Sequence, residues 1–352
     1  HHAMQFLRLP PKLVRRLLLW PLPILLLVVY VVAVPLLLIA TFVFSYLLPG
    51  KLRALRTVGL VTLYVFTEAA VIVIGFVLWV ASGFGWKVRS PAFVTAHYWL
   101  MRWALKVLVG GGSKLFSLTI AREARGEASA GKENGPLIIM ARHAGPADSL
   151  LLMHEVMSDY GLRPRIIVKD LLQLDPAFDL LLNRLPNRFI PSRKTSHPPD
   201  TVALIADLAT GMGELDAFVI FPEGGNFTEK RRIRAIERLR ESGHQAAVER
   251  AQALRNVLPP RPAGTLAAME AAPGADAVFV AHTGLDNISS IDDLWFELPL
   301  DNVLKVAWFR IPAAEMPATP EDREELLFRA WEGIDEWVEE NRDDEAALEL
   351  RD

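Results

Sequence analysis

Residues 17–48 contain no charged side chain. No other feature limits the fold as strongly, because this run exceeds the roughly 18–20 apolar residues needed to cross a hydrocarbon core. Pro49-Gly50 follows as a turn, then the basic stretch Lys51, Arg53 and Arg56. A second apolar run, residues 57–86, carries only one charge, Glu68. Two such runs joined by a short turn predict an N-terminal helical hairpin in a membrane. A cleaved secretory signal fits poorly, since the first run is too long and a second follows it. Two buried helices of a soluble core are the other alternative.

Arg8, Lys12, Arg15 and Arg16 precede the first run, and Lys87 and Arg89 follow the second. This pattern favours both ends on the cytoplasmic side of the cell (inner) membrane, with the rest of the chain facing the cytoplasm. The connecting turn is also basic, and Pro21, Pro23 and Pro35 would bend the first helix. A hairpin dipping into one leaflet therefore competes with two full spans. Glu68 marks either function or a contact with protein or headgroups. Residues 91–118 mix Phe93, Tyr98, Trp99, Trp103 and Leu105 with Arg102, Lys106 and Lys114. They predict an amphipathic helix at the interface, its rings at headgroup depth, or one packed on the soluble part.

Charge divides along the same line. Residues 1–125 carry 14 Lys/Arg and two Asp/Glu, whereas the remainder carries 24 and 39. A basic apolar third joined to an acidic remainder reads as a membrane-facing segment on a soluble domain. The 352 residues include no cysteine, which excludes a disulfide framework, a thiolate zinc site, an iron–sulfur cluster and a cysteine nucleophile. His1 and His2, ahead of Met4, read as a tag remnant and enter no metal argument.

From about residue 120 short apolar runs alternate with helical stretches. Strands are expected at 136–141, 165–169, 188–190, 217–221, 277–282 and 303–310. Helices are expected near 148–160, 170–184, 200–213, 230–255, 263–272 and 320–341. The alternation predicts an α/β fold, a mixed, largely parallel sheet flanked by helices, preceded by the two-helix hairpin. The expected divisions are a hairpin at 1–90, the interfacial helix at 91–119, a catalytic domain at 120–312 and an acidic C-terminal helix and tail at 313–352. In that last part Trp331 and Trp337 should face inward.

Two constellations carry chemistry. Arg142-His143-Ala144-Gly145-Pro146-Ala147-Asp148 follows the first of these strands. A tight turn there could return the Asp148 carboxylate to His143 Nδ1 and leave Nε2 free to take a proton from a hydroxyl. An incidental histidine beside a helix-capping Asp is the plain alternative. Phe221-Pro222-Glu223-Gly224-Gly225-Asn226 follows a later strand, and Lys230, Arg231, Arg232 and Arg234 come after it. The glycines would admit a ligand close to the backbone, and the cations suit a phosphate, although a solvated helix start reads similarly.

In this order, with 78 positions from His143 to Phe221, the two blocks resemble the PlsC-like glycerolipid acyltransferases, the 1-acylglycerol-3-phosphate acyltransferase family. Phe189-Ile190-Pro191-Ser192-Arg193 is similar to the family's second block and Leu258-Pro259-Pro260-Arg261-Pro262 to its proline-containing fourth. The resemblance covers about residues 120–310. It departs at Arg142, where the family often has Asn, and at Gly225-Asn226, where it commonly has Thr-Arg.

The resemblance implies a membrane-bound enzyme that moves a fatty acyl group from acyl-CoA or acyl carrier protein to the hydroxyl of a lysophospholipid. His143 would be the base and Asp148 its orienting carboxylate, with backbone N–H groups of the turn stabilising the oxyanion. Arg193, Glu223, Gly224, Gly225, Asn226, Lys230, Arg231 and Arg261 would form the substrate site. Phosphatidic acid would be the product, in phospholipid biosynthesis. Another lysophospholipid or a glycolipid acceptor, a lipid or thioester hydrolase, and a non-catalytic lipid-binding protein are the competing readings. The expected partners are the bilayer, the acceptor and the acyl carrier, with no nucleic acid, metal or cofactor beyond the co-substrate. His282, at a strand end, is the other histidine worth attention, while Asp286 and Asn287 after it read as a turn.

Overall fold

The computed structural model describes residues 9–47, 52–125, 135–145, 148–192, 200–241, 243, 245–284 and 303–342. The chain divides into two compact units. One comprises His1–Ser117, Met153–Leu204 and Glu297–Asp301, the other Leu118–Leu152, Ile205–Phe296 and Asn302–Asp352.

The first unit begins with α1 (Lys12–Leu19), α2 (Pro21–Leu47), α3 (Arg53–Ala81) and α4 (Pro91–Phe116). The first apolar run thus breaks at Trp20, ahead of Pro21, while Pro35 lies within α2. The stretch from α1 into α2 and the helix α3 are each long and apolar enough to cross a membrane. Only 6% of the most apolar stretch of the first is buried, against 33% for α3. Val32 and Leu36 of α2 are 76% and 73% exposed. A core helix of a soluble protein would bury such residues.

The helices of this unit are joined by polar contacts at defined heights. Tyr30 of α2 donates to the Val58 carbonyl of α3 at 3.1 Å and shares a hydrogen bond with Thr62 at 2.7 Å. On the other side α4 lies along α3. Gly59 and Gly111 give the two backbones room, since an added Cβ would fall 2.9 Å from Leu115 and 2.5 Å from Leu63 respectively. Of the rings on α4, Tyr98 is buried and donates to the Pro164 carbonyl, Trp103 packs edge-on against Phe66, and Trp99 faces outward with Arg102 and Lys106.

Further along this unit come β3 (Arg163–Lys169), α6 (Pro176–Arg184) and β4 (Arg188–Ile190), which pairs in parallel with β3. The expected helix 170–184 is divided instead. A 3-10 turn at Asp170–Leu174 ends where Asp175 caps α6 by accepting the Phe178 N–H, with Pro176 at its first position. Glu68 of α3 accepts the Ala177 N–H at 3.2 Å, and Tyr64 donates to Asp175 at 2.6 Å. The carboxylate in the second apolar run therefore satisfies an orphan donor at a helix start. Asp179 of α6 takes Arg15, Arg16 and Trp20, which fixes the approach to α2.

Among the described residues the second unit holds five strands in the order β1-β7-β6-β2-β5. These are β1 (Thr119–Arg125), β2 (Leu137–Ala141), β5 (Asp216–Ile220), β6 (Asp276–Thr283) and β7 (Val303–Ile311). β2 runs parallel to β5 and β6, β1 parallel to β7, and β6 antiparallel to β7. Every residue of β2 is buried, as for a central strand covered on both faces. The helices are α5 (Asp148–Ser158), α7 (Thr201–Ala209), α8 (Glu229–Glu241), α9 (Gln245–Ala253), α10 (Pro262–Ala271) and α11 (Pro320–Asn341), with α5 and α7 running on between the units' segments. The long helix expected at 230–255 is broken at Gly243, whose φ of +77° lies in the left-handed region. Leu327, Trp331, Ile334, Trp337 and Val338 of α11 are buried.

Candidate functional site

The site lies in the second unit, at the carboxyl ends of β2 and β5 and beside the end of β6. β2 and β5 are neighbours in parallel, so the turns that follow them emerge side by side. Sequence blocks about 80 residues apart are brought together for that reason. The Arg142 N–H continues the ladder by donating to the Val280 carbonyl at 3.1 Å, and the chain then leaves the sheet at His143.

Asp148 opens α5 and is buried. Its Oδ2 accepts the N–H groups of Ala144 (2.6 Å) and Gly145 (2.5 Å). This folds the turn back on itself and brings the same oxygen to 3.6 Å from His143 Nδ1. That is beyond a hydrogen bond, and among the described residues Nδ1 has no hydrogen-bond partner. Ligand-free catalytic pairs are often this loose. Burial alone would raise the Asp148 pKa, but His282, His143 and the Gly145 N–H hold it below the usual carboxylate value. The carboxylate is therefore charged at neutral pH. The His143 ring packs on Phe221 with centroids 4.6 Å apart, and its side chain is 22% exposed.

Among the described residues of the turn, the His143 N–H donates to Glu223 Oε1, and those of Ala144 and Gly145 go to Asp148.

Glu223 is the hinge between the two blocks. It is 1% exposed and uses both oxygens, Oε1 for the His143 N–H and Oε2 for the Leu258 N–H, each at 2.9 Å. Burial pushes its pKa up to about 8 against the pull of these two bonds. Beside it opens a cleft of about 490 Å³, lined by Glu223, Gly224, Gly225, Leu258 and Pro259 together with Arg231, Arg234, Arg238 and Arg261. Glu237 and Glu241 complete its wall along α8.

The glycines have a direct physical reason. Gly224 has φ +69°, and a Cβ there would lie 2.9 Å from the Arg261 guanidinium carbon. At Gly225 it would lie 3.2 Å from Arg231 Nη1. Two guanidinium groups thus rest directly on the backbone of the Glu-Gly-Gly turn. Burial, and then the charge of Arg238, lower the Arg261 pKa. Cations pressed together in this way gain from an anion.

Of Lys230, Arg231 and Arg232, which the sequence offers for a phosphate, the structure places one in the cleft. Arg231 Nη1 donates to the Asn226 carbonyl at 2.8 Å and also to the Asn226 side chain. Arg232 is turned away, bonded to the Leu254 and Gln252 carbonyls and to Glu229. Lys230 is exposed and is not among the cleft-lining residues. Arg193 lies outside the described residues, as do His197, His244, Asp286 and Asn287.

Two further residues frame the site. Arg142 is 2% exposed and donates to the Asn256 carbonyl through Nε (3.2 Å) and Nη2 (3.0 Å) and to the His282 carbonyl through Nη1 (2.6 Å). Asn256 is held in turn by Asp335 of α11, which accepts its N–H at 2.6 Å. His282 Nε2 donates to the Arg142 carbonyl at 3.0 Å and lies 3.7 Å from Asp148 Oδ2. Nothing in the local sequence signalled Arg142, and His282 carried only the weak signal of ending an apolar strand. The remaining described histidines are structural. His97 accepts from Arg184 and donates to the Phe93 carbonyl, and His154 contacts Ser158. Among the described residues no group of three or more acidic or histidine side chains could hold a metal ion.

Residues 122–278 match the protein-family model described as Acyltransferase. No curated protein shows significant similarity to the chain. Among solved structures it is similar to the crystal structure of the 1-acyl-sn-glycerophosphate (LPA) acyltransferase PlsC from Thermotoga maritima. Identity is 15%, with 75% of this chain and 97% of that one covered and a TM-score of 0.39. At that score the likeness is loose, and the match to the acyltransferase model is confined to residues 122–278.

Proposed function

We propose that this chain, a member of the acyltransferase family through its residues 122–278, acylates 1-acylglycerol-3-phosphate at a membrane to give phosphatidic acid. The observation that carries this reading is a His143–Asp148 pair tied through one buried carboxyl, Glu223, to a guanidinium-lined cleft. A base alone would suit many reactions. A base fixed beside an anion site suits a hydroxyl acceptor that carries a phosphate.

His143 holds a proton on Nδ1 toward Asp148, and Nε2 takes the acceptor's hydroxyl proton as its oxygen attacks the thioester carbonyl of acyl-CoA or acyl carrier protein. The new C–O bond forms, the tetrahedral intermediate collapses, and the C–S bond breaks. The leaving thiolate recovers the proton from His143. Asp148 keeps the ring oriented and stabilises the transient imidazolium. Arg231 and Arg261 hold the acceptor phosphate. Glu223, Gly224 and Gly225 shape its floor, and Asn226 holds Arg231 in place. The helices α2 and α3 anchor the enzyme in the cytoplasmic membrane with the site on the cytoplasmic side.

Glu237 and Glu241 at the cleft wall favour a second reading of the acceptor, one whose headgroup adds hydroxyls or an amine to the phosphate. Both readings are tested by one assay. Purified protein in phospholipid vesicles receives labelled acyl-CoA or acyl carrier protein and a panel of lysophospholipids. Phosphatidic acid formed preferentially from lysophosphatidic acid is the expected product. Preference for a lysophospholipid with a larger headgroup establishes the second reading. Free fatty acid alone, with no stimulation by any acceptor, overturns both and indicates a hydrolase.

A further inference from the structure

We propose that His282 is a positioning residue for the His143–Asp148 pair, its imidazole approaching the same Asp148 oxygen that faces His143. The proposal rests on the reading in which His143 is the base. Its footing is geometric. One oxygen, Asp148 Oδ2, lies 3.6 Å from His143 Nδ1 and 3.7 Å from His282 Nε2. The same Nε2 donates to the Arg142 carbonyl at 3.0 Å, which fixes its tautomer: the proton is on Nε2, pointing into the turn. His282 is 8% exposed and cannot swing into solvent. Arg142 closes the loop by gripping the His282 carbonyl at 2.6 Å. Each residue thus holds the other's backbone, and the catalytic turn begins at the residue between them and Asp148.

Two consequences follow for His143. The carbonyl that His282 holds belongs to the residue immediately before His143, so the imidazole sets where the base leaves the sheet. In addition, the N–H dipole of His282 partly offsets the Asp148 charge that His143 feels. The groups facing Asp148 Oδ2 are His143, His282 and the N–H groups of Ala144 and Gly145. The cation of Arg142 and the carboxyl of Glu223, which burial keeps protonated up to about pH 8, are the titratable neighbours of this cluster. With the dipole of His282 removed, the carboxylate retains the His143 proton more strongly, and the base becomes available only at higher pH.

The test uses the full chain in vesicles of phosphatidylcholine and phosphatidylglycerol. His282→Phe keeps the ring shape without a donor, His282→Leu serves if that variant fails to fold, and His282→Gln keeps an N–H. We measure kcat and both KM values for acyl-CoA and lysophosphatidic acid against pH. In parallel we follow the rate at which diethyl pyrocarbonate modifies His143, read by peptide mass mapping. For the apolar variant the expected result is a kcat about 10- to 100-fold lower, as for a catalytic group displaced slightly. Both KM values should stay within about twofold, and the acid limb and the His143 modification profile should move to higher pH. Gln should restore most of kcat and return both profiles toward wild type. Equal losses in Phe and Gln with unmoved profiles would reduce His282 to packing and overturn the proposal. So would wild-type behaviour in all variants. If the wild type itself forms no product, the acyltransferase reading falls, and the modification profile of His143 alone decides the role of His282.

Discussion

Glu223→Gln separates two roles of one buried side chain. The carboxyl accepts one N–H on each oxygen, from His143 and from Leu258. A glutamine amide has one acceptor oxygen, so one of these buried donors is orphaned at a cost of about 1–3 kcal/mol. The ionisation of the native carboxyl works in the opposite direction. Its pKa rises from the ordinary 4.5 to about 8 on folding, because burial disfavours the charged form. A carboxyl raised in this way contributes fully below pH 4.5, and that contribution is lost as pH rises toward 8, at about 1.4 kcal/mol per pH unit. Across the whole window the loss is on the order of 5 kcal/mol. At pH 5 the wild type is therefore the more stable protein, by the orphaned bond. Near pH 8.5 the order reverses, because the variant has no proton to lose. Thermal unfolding of both proteins in the same detergent, between pH 5 and 9, reads the difference. A domain of this size shifts about 2–4 °C per kcal/mol, so a reversal of several degrees is expected. A Tm difference that keeps one sign and size across that range would refute the assignment of Glu223 as a carboxyl that is neutral when buried.

Other outcomes follow from the same geometry. Gly224→Ala forces a left-handed backbone on a residue with a Cβ and displaces Arg261. It should cost about 1–2 kcal/mol of stability and raise the KM for lysophosphatidic acid while leaving that for acyl-CoA nearly unchanged, by steady-state kinetics on each substrate. Arg231→Gln removes the guanidinium that is tied to Asn226 and should raise the same KM about ten- to a hundredfold, whereas Lys230→Gln should change it little. Asp148→Asn should lower kcat by about 10²–10³-fold, less than loss of the base, since the carboxylate only orients and stabilises.

Much of this architecture was legible in the sequence, for identifiable reasons. β2 is a short, wholly apolar run and β5 is apolar after Asp216, both bounded by turn residues, and such strands need no tertiary information to recognise. β1 was not expected. Thr119-Ile120-Ala121-Arg122-Glu123-Ala124-Arg125 is mostly polar, and it becomes a strand because β7, nearly 200 residues later, offers a parallel edge. The helix breaks at Asp175-Pro176 and Gly243 were written in cap residues that the surrounding helical periodicity masked. In the site, His143, Asp148 and the Glu-Gly-Gly turn were legible because each is local. The roles of the cations were not. Which of Lys230, Arg231 and Arg232 faces the cleft depends on their angular positions on α8 and on the Leu254 and Gln252 carbonyls that capture Arg232. How Arg142 and His282 bear on the turn became visible only once β2 and β6 were paired.

The central claim is that His143 is the base for acyl transfer to a lysophospholipid hydroxyl. It is tested most directly by initial rates of phosphatidic acid formation from labelled acyl-CoA and lysophosphatidic acid, with wild type and His143→Ala at matched amounts in the same vesicles. The account predicts a loss on the order of 10⁴-fold in the variant, with unchanged vesicle binding and unfolding temperature. A variant that folds, binds vesicles and retains most of the wild-type rate would contradict it.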